Sequence, residues 1–287
     1  MVKYPSVSIV IPAFNEEGQL ALCLDAIARQ TVKPFEVIVV DNNSTDATVA
    51  VASRYPFVAV VHERRQGLVY ARDCGFNAAR GEVIGRLDAD SEIASDWVEN
   101  VRRIFADKTV EATSGPVSYR DIGLSALISK IDGYIRREYM TRRMGGLGEQ
   151  FLYGSNMAIR RSSWRAVRGL VCHKHHLHED IDLAAHMAQS RSKVIFSPEL
   201  RAAVDWRQAA SGPRQFWSHV WSNDRVFAEH ELKSRKYARR VVWLVSALYV
   251  PIHVLYCGYN PRTKRFSLSY LLTNAIAIRP SPVTERA

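Results

Sequence analysis

Asp88-Ala89-Asp90 is the segment whose residue types and spacing most directly suggest chemistry. It closes the strand-like run Val83-Ile84-Gly85-Arg86-Leu87. Two carboxylates at i and i+2 on a turn can both reach one hard cation, because the alternation of the strand has ended there. Mg2+ and Mn2+ prefer oxygen ligands of this kind and commonly bridge protein carboxylates to substrate phosphates. Such a triplet also occurs by chance on surface loops, so its weight comes from its position and its company. Two further polar clusters close strand-like runs: Pro12-Ala13-Phe14-Asn15-Glu16-Glu17 and Asp41-Asn42-Asn43-Ser44. Strand ends are polar as a rule, but three acidic clusters at one sheet edge repel each other unless a cation or ligand offsets them.

The elements that must position these clusters follow from hydrophobic periodicity. Val7–Ile11, Glu36–Val40, Val58–His62 and Val83–Leu87 are apolar, β-branched runs that end at turn or polar residues. Helix-like stretches lie between them at Gln19–Gln30, Asp46–Tyr55 and Leu68–Ala79, and Ser44-Thr45 are N-cap candidates for the second. Strands alternating with helices predict an α/β fold with a mainly parallel, Rossmann-like mixed sheet flanked by helices. Ligands of such sheets bind beyond the carboxyl ends of the strands, where the three clusters fall. From Gly115 the pattern changes. Gly123–Arg143 reads as an amphipathic helix, followed by a loop at Gly145-Gly146-Leu147-Gly148, a strand-like piece at Phe151–Ile159, a helix from about Asp180 and a strand at Val194–Ser197.

The chain has 287 residues and a hydrophobic fraction of 47%, enough for a large core. A net charge of +10 calls for an anionic partner, such as a phosphate-bearing substrate or an acidic membrane surface. No standard nucleic-acid motif accompanies the charge, so nucleic acid is not expected as a partner. Four cysteines, Cys23, Cys74, Cys172 and Cys257, form no CxxC pair, and no cleavable leader precedes the first strand-like run, so the expected compartment is the cytoplasm.

VSIVIPAFNEE at Val7–Glu17, EVIVVDNNSTD at Glu36–Asp46, GLVYAR at Gly67–Arg72, ARGE at Ala79–Glu82 and the Asp88–Asp90 triplet occur in that order. Together they resemble the nucleotide-sugar domain of family 2 glycosyltransferases, which have the GT-A fold. The likeness continues through Gly154-Ser155-Asn156-Met157-Ala158-Ile159-Arg160-Arg161 and His178-Glu179-Asp180-Ile181-Asp182-Leu183, and covers roughly residues 5 to 200. The resemblance implies an inverting enzyme that moves a sugar from a UDP- or GDP-linked donor to an acceptor hydroxyl with Mg2+ or Mn2+ as cofactor. It implies that Pro12, Phe14 and Glu16 wrap the nucleoside, that Asp41 accepts a hydrogen bond from the base, and that Arg72 lies near the nucleotide. Asp73 departs from the asparagine usual after that arginine. Asp90 is then the metal ligand, Asp88 binds ribose or the metal and its water, and Asp180 is the catalytic base, with Glu179 as the next candidate. Gly154, Ser155 and Asn156 shape the acceptor side, although a glycine there also suits close backbone approach. Asp182, two residues along a helix from the base, points elsewhere and suits packing or a basic partner. Cys172 with His173, His175, His176 and His178 suggests zinc, but the irregular spacing and the lack of a second ligand group favour an acceptor loop.

The expected organisation is a nucleotide-sugar half over residues 1–115, an acceptor and catalytic-base half over 116–210, and a basic, apolar helical C-terminal extension over 211–287. The extension has an aromatic-rich stretch at Ser211–Glu231, a basic run at Lys233–Arg240 and a charge-free stretch at Val241–Pro261. A bilayer takes about 20 apolar residues, but Pro251 and His253 interrupt this stretch and basic residues flank both ends. An interfacial or re-entrant anchor on an acidic inner leaflet, a buried helical extension and a span all fit, and the first would suit a glycan or lipid-linked acceptor. No processive-synthesis motif is evident around Trp206-Arg207-Gln208, so transfer of one sugar per event is expected. The rival readings are a sugar-phosphate nucleotidyltransferase, which would normally carry a Gly-rich basic loop where this chain has Pro12–Glu17, and a non-catalytic nucleotide-binding or membrane-docking relative.

Overall fold

The β-branched runs of the first half become the strands of one sheet. In the computed structural model, which describes residues 4–120, 152–174, 177–205, 211–232, 235–260 and 265–269, these are β1 (Val7–Ala13), β2 (Glu36–Asp41), β3 (Val58–His62) and β4 (Val83–Arg86). The helices between them are α1 (Leu20–Ala28), α2 (Thr48–Ala52) and α3 (Leu68–Ala78). After β4 come β5 (Glu92–Ile93), α4 (Trp97–Ile104), β6 (Ala112–Ser114) and β7 (Val117–Arg120). Then follow β8 (Met157–Arg160), α5 (Arg161–Val167), α6 (Glu179–Gln189), β9 (Val194–Phe196) and β10 (Ala202–Asp205). The helix expected at 123–143, the glycine loop at 145–148, His175, His176 and residues 206–208 lie outside the described residues.

Seven strands pair in the order β3-β2-β1-β4-β8-β6-β9. The β1–β2, β2–β3, β1–β4 and β6–β9 pairs are parallel, while β8 runs antiparallel to both β4 and β6. The sheet is therefore mixed and mainly parallel, as the alternation of strands and helices predicted. The chain steps outward from β1 to β2 and β3, then returns to the other side of β1 as β4. That reversal is the switch point at which open α/β sheets bind ligands.

Strand alternation divides the core between the two faces of the sheet. Ile9, Ile11, Val37 and Val39 pack with Leu20, Leu24 and Ile27 of α1 and with Trp97, Val98 and Val101 of α4. Val10, Ile38, Val40 and Ile84 face the other way, against Phe76 of α3, Trp164 of α5 and Leu183 and Met187 of α6. Gly85 is required by this packing, since a Cβ there would meet Trp97 Cη2 at 2.6 Å.

One expected cap is corrected. Helix α2 starts at Thr48, and neither Ser44 nor Thr45 caps it. Ser44 Oγ instead accepts from the Asn15 N–H (3.1 Å), while Asp46 Oδ1 accepts from the Thr48 N–H (2.9 Å). The Ser and Thr are used to bind two loops together, and the N-cap position, Ala47, makes no side-chain cap.

The chain divides into two compact units: Met1–Val117, Glu149–His175 and Glu179–Val204 in the first, and Ser118–Gly148, His176–His178 and Asp205–Ala287 in the second. The second contains α7 (Pro213–Glu229), α8 (Arg235–Ala247) and α9 (Tyr249–Cys257), then the short strands β11 (Tyr259–Asn260) and β12 (Arg265–Phe266), which pair antiparallel. Phe216, Val220, Val242 and Tyr249 form its core, and Tyr249 Oη donates to the Ser211 carbonyl (3.0 Å). The charge-free stretch thus splits into two helices at Leu248, with Pro251 in the first turn of α9, where its missing N–H costs least. Among the described residues no helix is long and apolar enough to cross a membrane.

Candidate active site

Parallel pairing brings the polar clusters to one edge of the sheet. Asp41 is in register with Ala13 at the ends of β2 and β1, and the Leu87 N–H donates to the Val10 carbonyl as the chain leaves β4. The loop after β1 is fastened to the loop after β2. Asn15, at a positive φ of 53°, accepts at Oδ1 from the Thr45 N–H (2.8 Å), and the Glu16 N–H donates to Thr48 Oγ1 (2.7 Å). A short polar side chain tolerates that left-handed backbone and bonds locally there, which accounts for an asparagine at this turn. Pro12 and Glu16 are buried in this region and Phe14 is partly buried.

Asp41 is almost wholly buried. Its Oδ1 accepts from the Ser44 N–H (3.1 Å), and its Oδ2 lies 3.1 Å from His62 Nδ1. Asn42 donates through Nδ2 to the Glu63 and Arg65 carbonyls (2.8 Å each) and accepts from the Gly67 N–H (2.8 Å). It therefore shapes the loop that opens α3, a role the sequence reading did not assign to it.

Arg72 is 1% exposed, and its guanidinium is engaged by protein. Nε and Nη2 donate to Asp73 Oδ1 (2.9 and 2.7 Å), and Nη1 donates to the Glu179 carbonyl (2.6 Å). The unusual Asp73 explains itself here, because its other oxygen lies 2.9 Å from His173 Nε2 and the His173 ring stacks on Tyr70. Arg72 thus links α3 to the first residue of α6.

The turn after β4 carries Asp88, partly exposed, and Asp90, buried. Ser91 Oγ accepts from the Asp88 N–H (3.1 Å) and donates to the Ser155 carbonyl (2.9 Å), which ties this turn to the segment before β8. In that segment Asn156 is fully buried and satisfied. Its Nδ2 donates to the Pro116 and Leu200 carbonyls (3.0 and 2.7 Å), and its Oδ1 accepts from Trp97 Nε1 (2.8 Å). Asn156 supports the scaffold beneath Gly154 and Ser155.

Arg86 is the residue that motif reading passed over. Its Nη2 lies 2.9 Å from Asp88 Oδ1 and 3.0 Å from Glu179 Oε1, with its side chain 2% exposed. Burial alone would lower the pKa of this guanidinium, but the carboxylates of Asp88, Glu179, Asp180 and Asp90 outweigh it and hold the pKa above the ordinary arginine value. Gly154 leaves the space it fills: a Cβ on Gly154 would meet Arg86 Nη1 at 1.8 Å. A strand-end arginine flanked by acids was the available signal, hidden because it lies inside an apolar run.

Asp180 sits in the first turn of α6 with Glu179 and Asp182, where the helix macrodipole favours negative charge. Its Oδ2 accepts from the Gly154 N–H (2.9 Å) and its Oδ1 from the Ile181 N–H (2.8 Å). A carboxylate oxygen has two lone pairs, so each can accept one more hydrogen bond. Asp88 and Glu179 are therefore joined through Arg86, and Asp180 to Gly154 through one main-chain N–H, while Asp41 pairs with His62 and Arg72 with Asp73 and the Glu179 carbonyl.

Over residues 8–168, more than half its length, the chain matches the family described as Glycosyl transferase family 2. The chain belongs to that family. Among its relatives, EpsH of Bacillus subtilis (strain 168) is 35% identical over 109 residues, which is 37% of this chain and 32% of EpsH. The O-antigen chain rhamnosyltransferase RfbN of Salmonella typhimurium is 26% identical over 208 residues, which is 67% of this chain and 64% of RfbN. This chain thus aligns with about a third of the one relative and less than two thirds of the other. Among solved structures, the mannosyltransferase PcManGT of Pyrobaculum calidifontis, in complex with GDP-Man and Mn2+, superposes with a TM-score of 0.60 at 21% identity, covering 98% of this chain and 78% of that one. The fold is accordingly the GT-A fold of glycosyltransferases, and this family 2 member has relatives in bacterial polysaccharide synthesis.

Proposed function

We propose that this protein is an inverting, metal-dependent glycosyltransferase. It would transfer one sugar per event from a UDP- or GDP-linked donor to a hydroxyl of a glycan or lipid-linked acceptor in bacterial envelope or polysaccharide synthesis. The observation that carries the reading is the bridge from Asp88 through Arg86 to Glu179, next to Asp180 bonded to Gly154. Such a bridge holds the acids of the β4 turn and the acids of α6 in one fixed relation, as a donor and an acceptor placed side by side require.

On the donor side we assign Pro12, Phe14 and Glu16 to the nucleoside and Asp41 to a ring N–H of the base, which uracil and guanine both offer. Arg72 belongs to the same side, and its contribution is to fix the start of α6 through the Glu179 carbonyl. Asp90, with Asp88, would hold Mg2+ or Mn2+; an all-oxygen donor pair on a turn fits such a hard ion. When bound, the ion would offset the negative charge growing on the leaving diphosphate. Asp180 would accept the proton of the attacking hydroxyl as the new C–O bond forms at the anomeric carbon and the bond to the diphosphate breaks, its electrons leaving with the phosphate oxygen. Single displacement inverts the configuration. Gly154, Ser155 and Glu179 would shape the acceptor side, with Asn156 beneath them.

The second unit supports placement at an acidic membrane surface. Helix α8 opens with exposed Arg235, Lys236, Arg239 and Arg240, while Trp243, Leu244, Leu248, Val250 and Val254 are exposed along α8 and α9. Neither helix contains an acidic residue. Basic residues beside an exposed apolar strip suit a helix lying in the interface of an anionic leaflet.

The test is to incubate the pure protein with Mn2+ or Mg2+ and each common nucleotide sugar, with a membrane lipid extract as acceptor, and to measure free nucleoside diphosphate. Release from one donor, abolished by chelator and by Asp90→Ala, is the expected result. Pyrophosphate-dependent nucleotide exchange in its place would overturn the reading in favour of a nucleotidyltransferase.

A further inference from the structure

We propose that Cys172, Asp182 and His186 form a binding site for a zinc-class metal ion, separate from the carboxylates after β4. Each of the three brings one possible ligand atom, a thiol sulfur, a carboxylate oxygen and a ring nitrogen, within 4.8 Å of the others. Asp182 and His186 are four residues apart on α6 and so share one helix face, with Oδ1 and Nε2 separated by 3.6 Å. That separation is too long for a hydrogen bond. It matches two ligands of one ion: Zn–N and Zn–O bonds of about 2.0–2.2 Å at tetrahedral angles place the atoms roughly 3.4 Å apart. Asp182 is fully buried and His186 nearly so, and the second oxygen of Asp182 is oriented by the Cys172 N–H (2.9 Å). The carboxylate therefore has one oxygen fixed by the main chain of the thiol-bearing residue and the other turned to the imidazole.

The donor set selects the metal. Thiolate with imidazole and carboxylate suits Zn2+, whereas Mg2+ and Mn2+ favour the all-oxygen pair at Asp88 and Asp90. Binding releases the Cys172 thiol proton to solvent. In the sequence the Cys172–His178 segment has irregular ligand spacing and no second ligand group beside it. The fold supplies that group from α6, through His186 and through Asp182, which the sequence suggested for packing or a basic partner. An ion there would tie the segment carrying His173, the partner of Asp73, to the helix that presents Glu179 and Asp180.

The experiment uses tag-free, full-length protein. After dialysis against metal-free buffer, elemental analysis should find about one zinc per chain, and the chelator-stripped protein should take up Co2+ with a thiolate-to-cobalt charge-transfer band. The band should vanish in Cys172→Ser and weaken in His186→Gln. It should persist in Asp90→Ala, which separates this site from the proposed donor metal. The triple variant Cys23→Ala, Cys74→Ser, Cys257→Ala, with Cys172 as its one cysteine, should keep the band, which assigns the thiolate even if Cys172→Ser fails to fold. Wild-type protein with no retained zinc and no cobalt–thiolate band, or a band lost in the triple variant, would overturn the proposal.

Discussion

Replacing Arg86 with methionine removes a cation that bridges Asp88 and Glu179 while keeping a side chain of similar length in the strand. The arginine is buried, Glu179 is 9% exposed at its side chain, and Asp88 is 38% exposed at its own. The two arms should therefore contribute unequally. The Asp88 arm is open enough to behave like a surface pair, at about 0.2–1 kcal/mol. The Glu179 arm is closed to water, and taking one partner from a buried pair costs about 3–5 kcal/mol because the other charge stays buried. Arg86→Met should thus lower the unfolding free energy by about 3–5 kcal/mol, a fall of some two to three and a half decades in the folded-to-unfolded ratio. Urea denaturation followed by tryptophan fluorescence and by far-UV circular dichroism measures it. Adding Glu179→Gln to Arg86→Met should restore much of the loss, since the stranded charge is then gone. A single variant within about 1 kcal/mol of wild type would show that the bridge is incidental and refute the reasoning.

Four further outcomes are expected. Asp180→Asn should reduce kcat by about 10²–10⁴-fold, the usual range for a positioned base, while calorimetric donor affinity changes little. Gly154→Ala should cost about 1–3 kcal/mol of stability and slow transfer, because the new methyl group overlaps Arg86 Nη1; stability and rate equal to wild type would count against the close packing. Glu36 is held below its ordinary pKa of 4.5: burial acts to raise it, but hydrogen bonds from Ser8 and Arg80 and the charge of Arg80 prevail. A depressed carboxylate stabilises the fold above the unfolded pKa and loses that contribution as pH falls through the folded value. The stability gap between wild type and Glu36→Gln should therefore be full at neutral pH and close progressively below about pH 4.5; a gap that widens in acid would contradict the assignment. Cosedimentation with phosphatidylserine vesicles should exceed that with phosphatidylcholine vesicles and fall in an Arg239→Glu, Arg240→Glu, Trp243→Ser variant. Equal binding to both vesicle types would remove the acidic-surface reading.

What the sequence made legible was whatever local periodicity encodes. Val58–His62 coincides with β3, and Leu68–Ala79 overruns α3 by one residue, because alternation and helical spacing are properties of short segments. The three polar clusters at one sheet edge followed from the parallel βα order. Long-range partners were not legible. Arg86 reads as one residue of an apolar strand until Asp88 and Glu179, 91 positions apart in the numbering, are seen on the same guanidinium. Arg72 has the motif position of a nucleotide-side cation, but its charge is taken by Asp73, the residue that departs from the family pattern. Asn156 lay inside a recognised motif, yet its amide is consumed by Pro116, Leu200 and Trp97, each brought in by tertiary packing. The break at Leu248 had a local cause in Pro251, and the sequence did show that interruption.

A crystal structure of the full chain with Mn2+ and the nucleoside diphosphate of its donor, with the metal located by anomalous scattering, bears most directly on the central claim. The account predicts an ion between the Asp90 carboxylate and the diphosphate, the base beside Asp41, and Asp180 facing the space next to the phosphate that had carried the sugar. An ion and diphosphate bound elsewhere, with Asp88, Asp90 and Asp180 turned to bulk water, would contradict it.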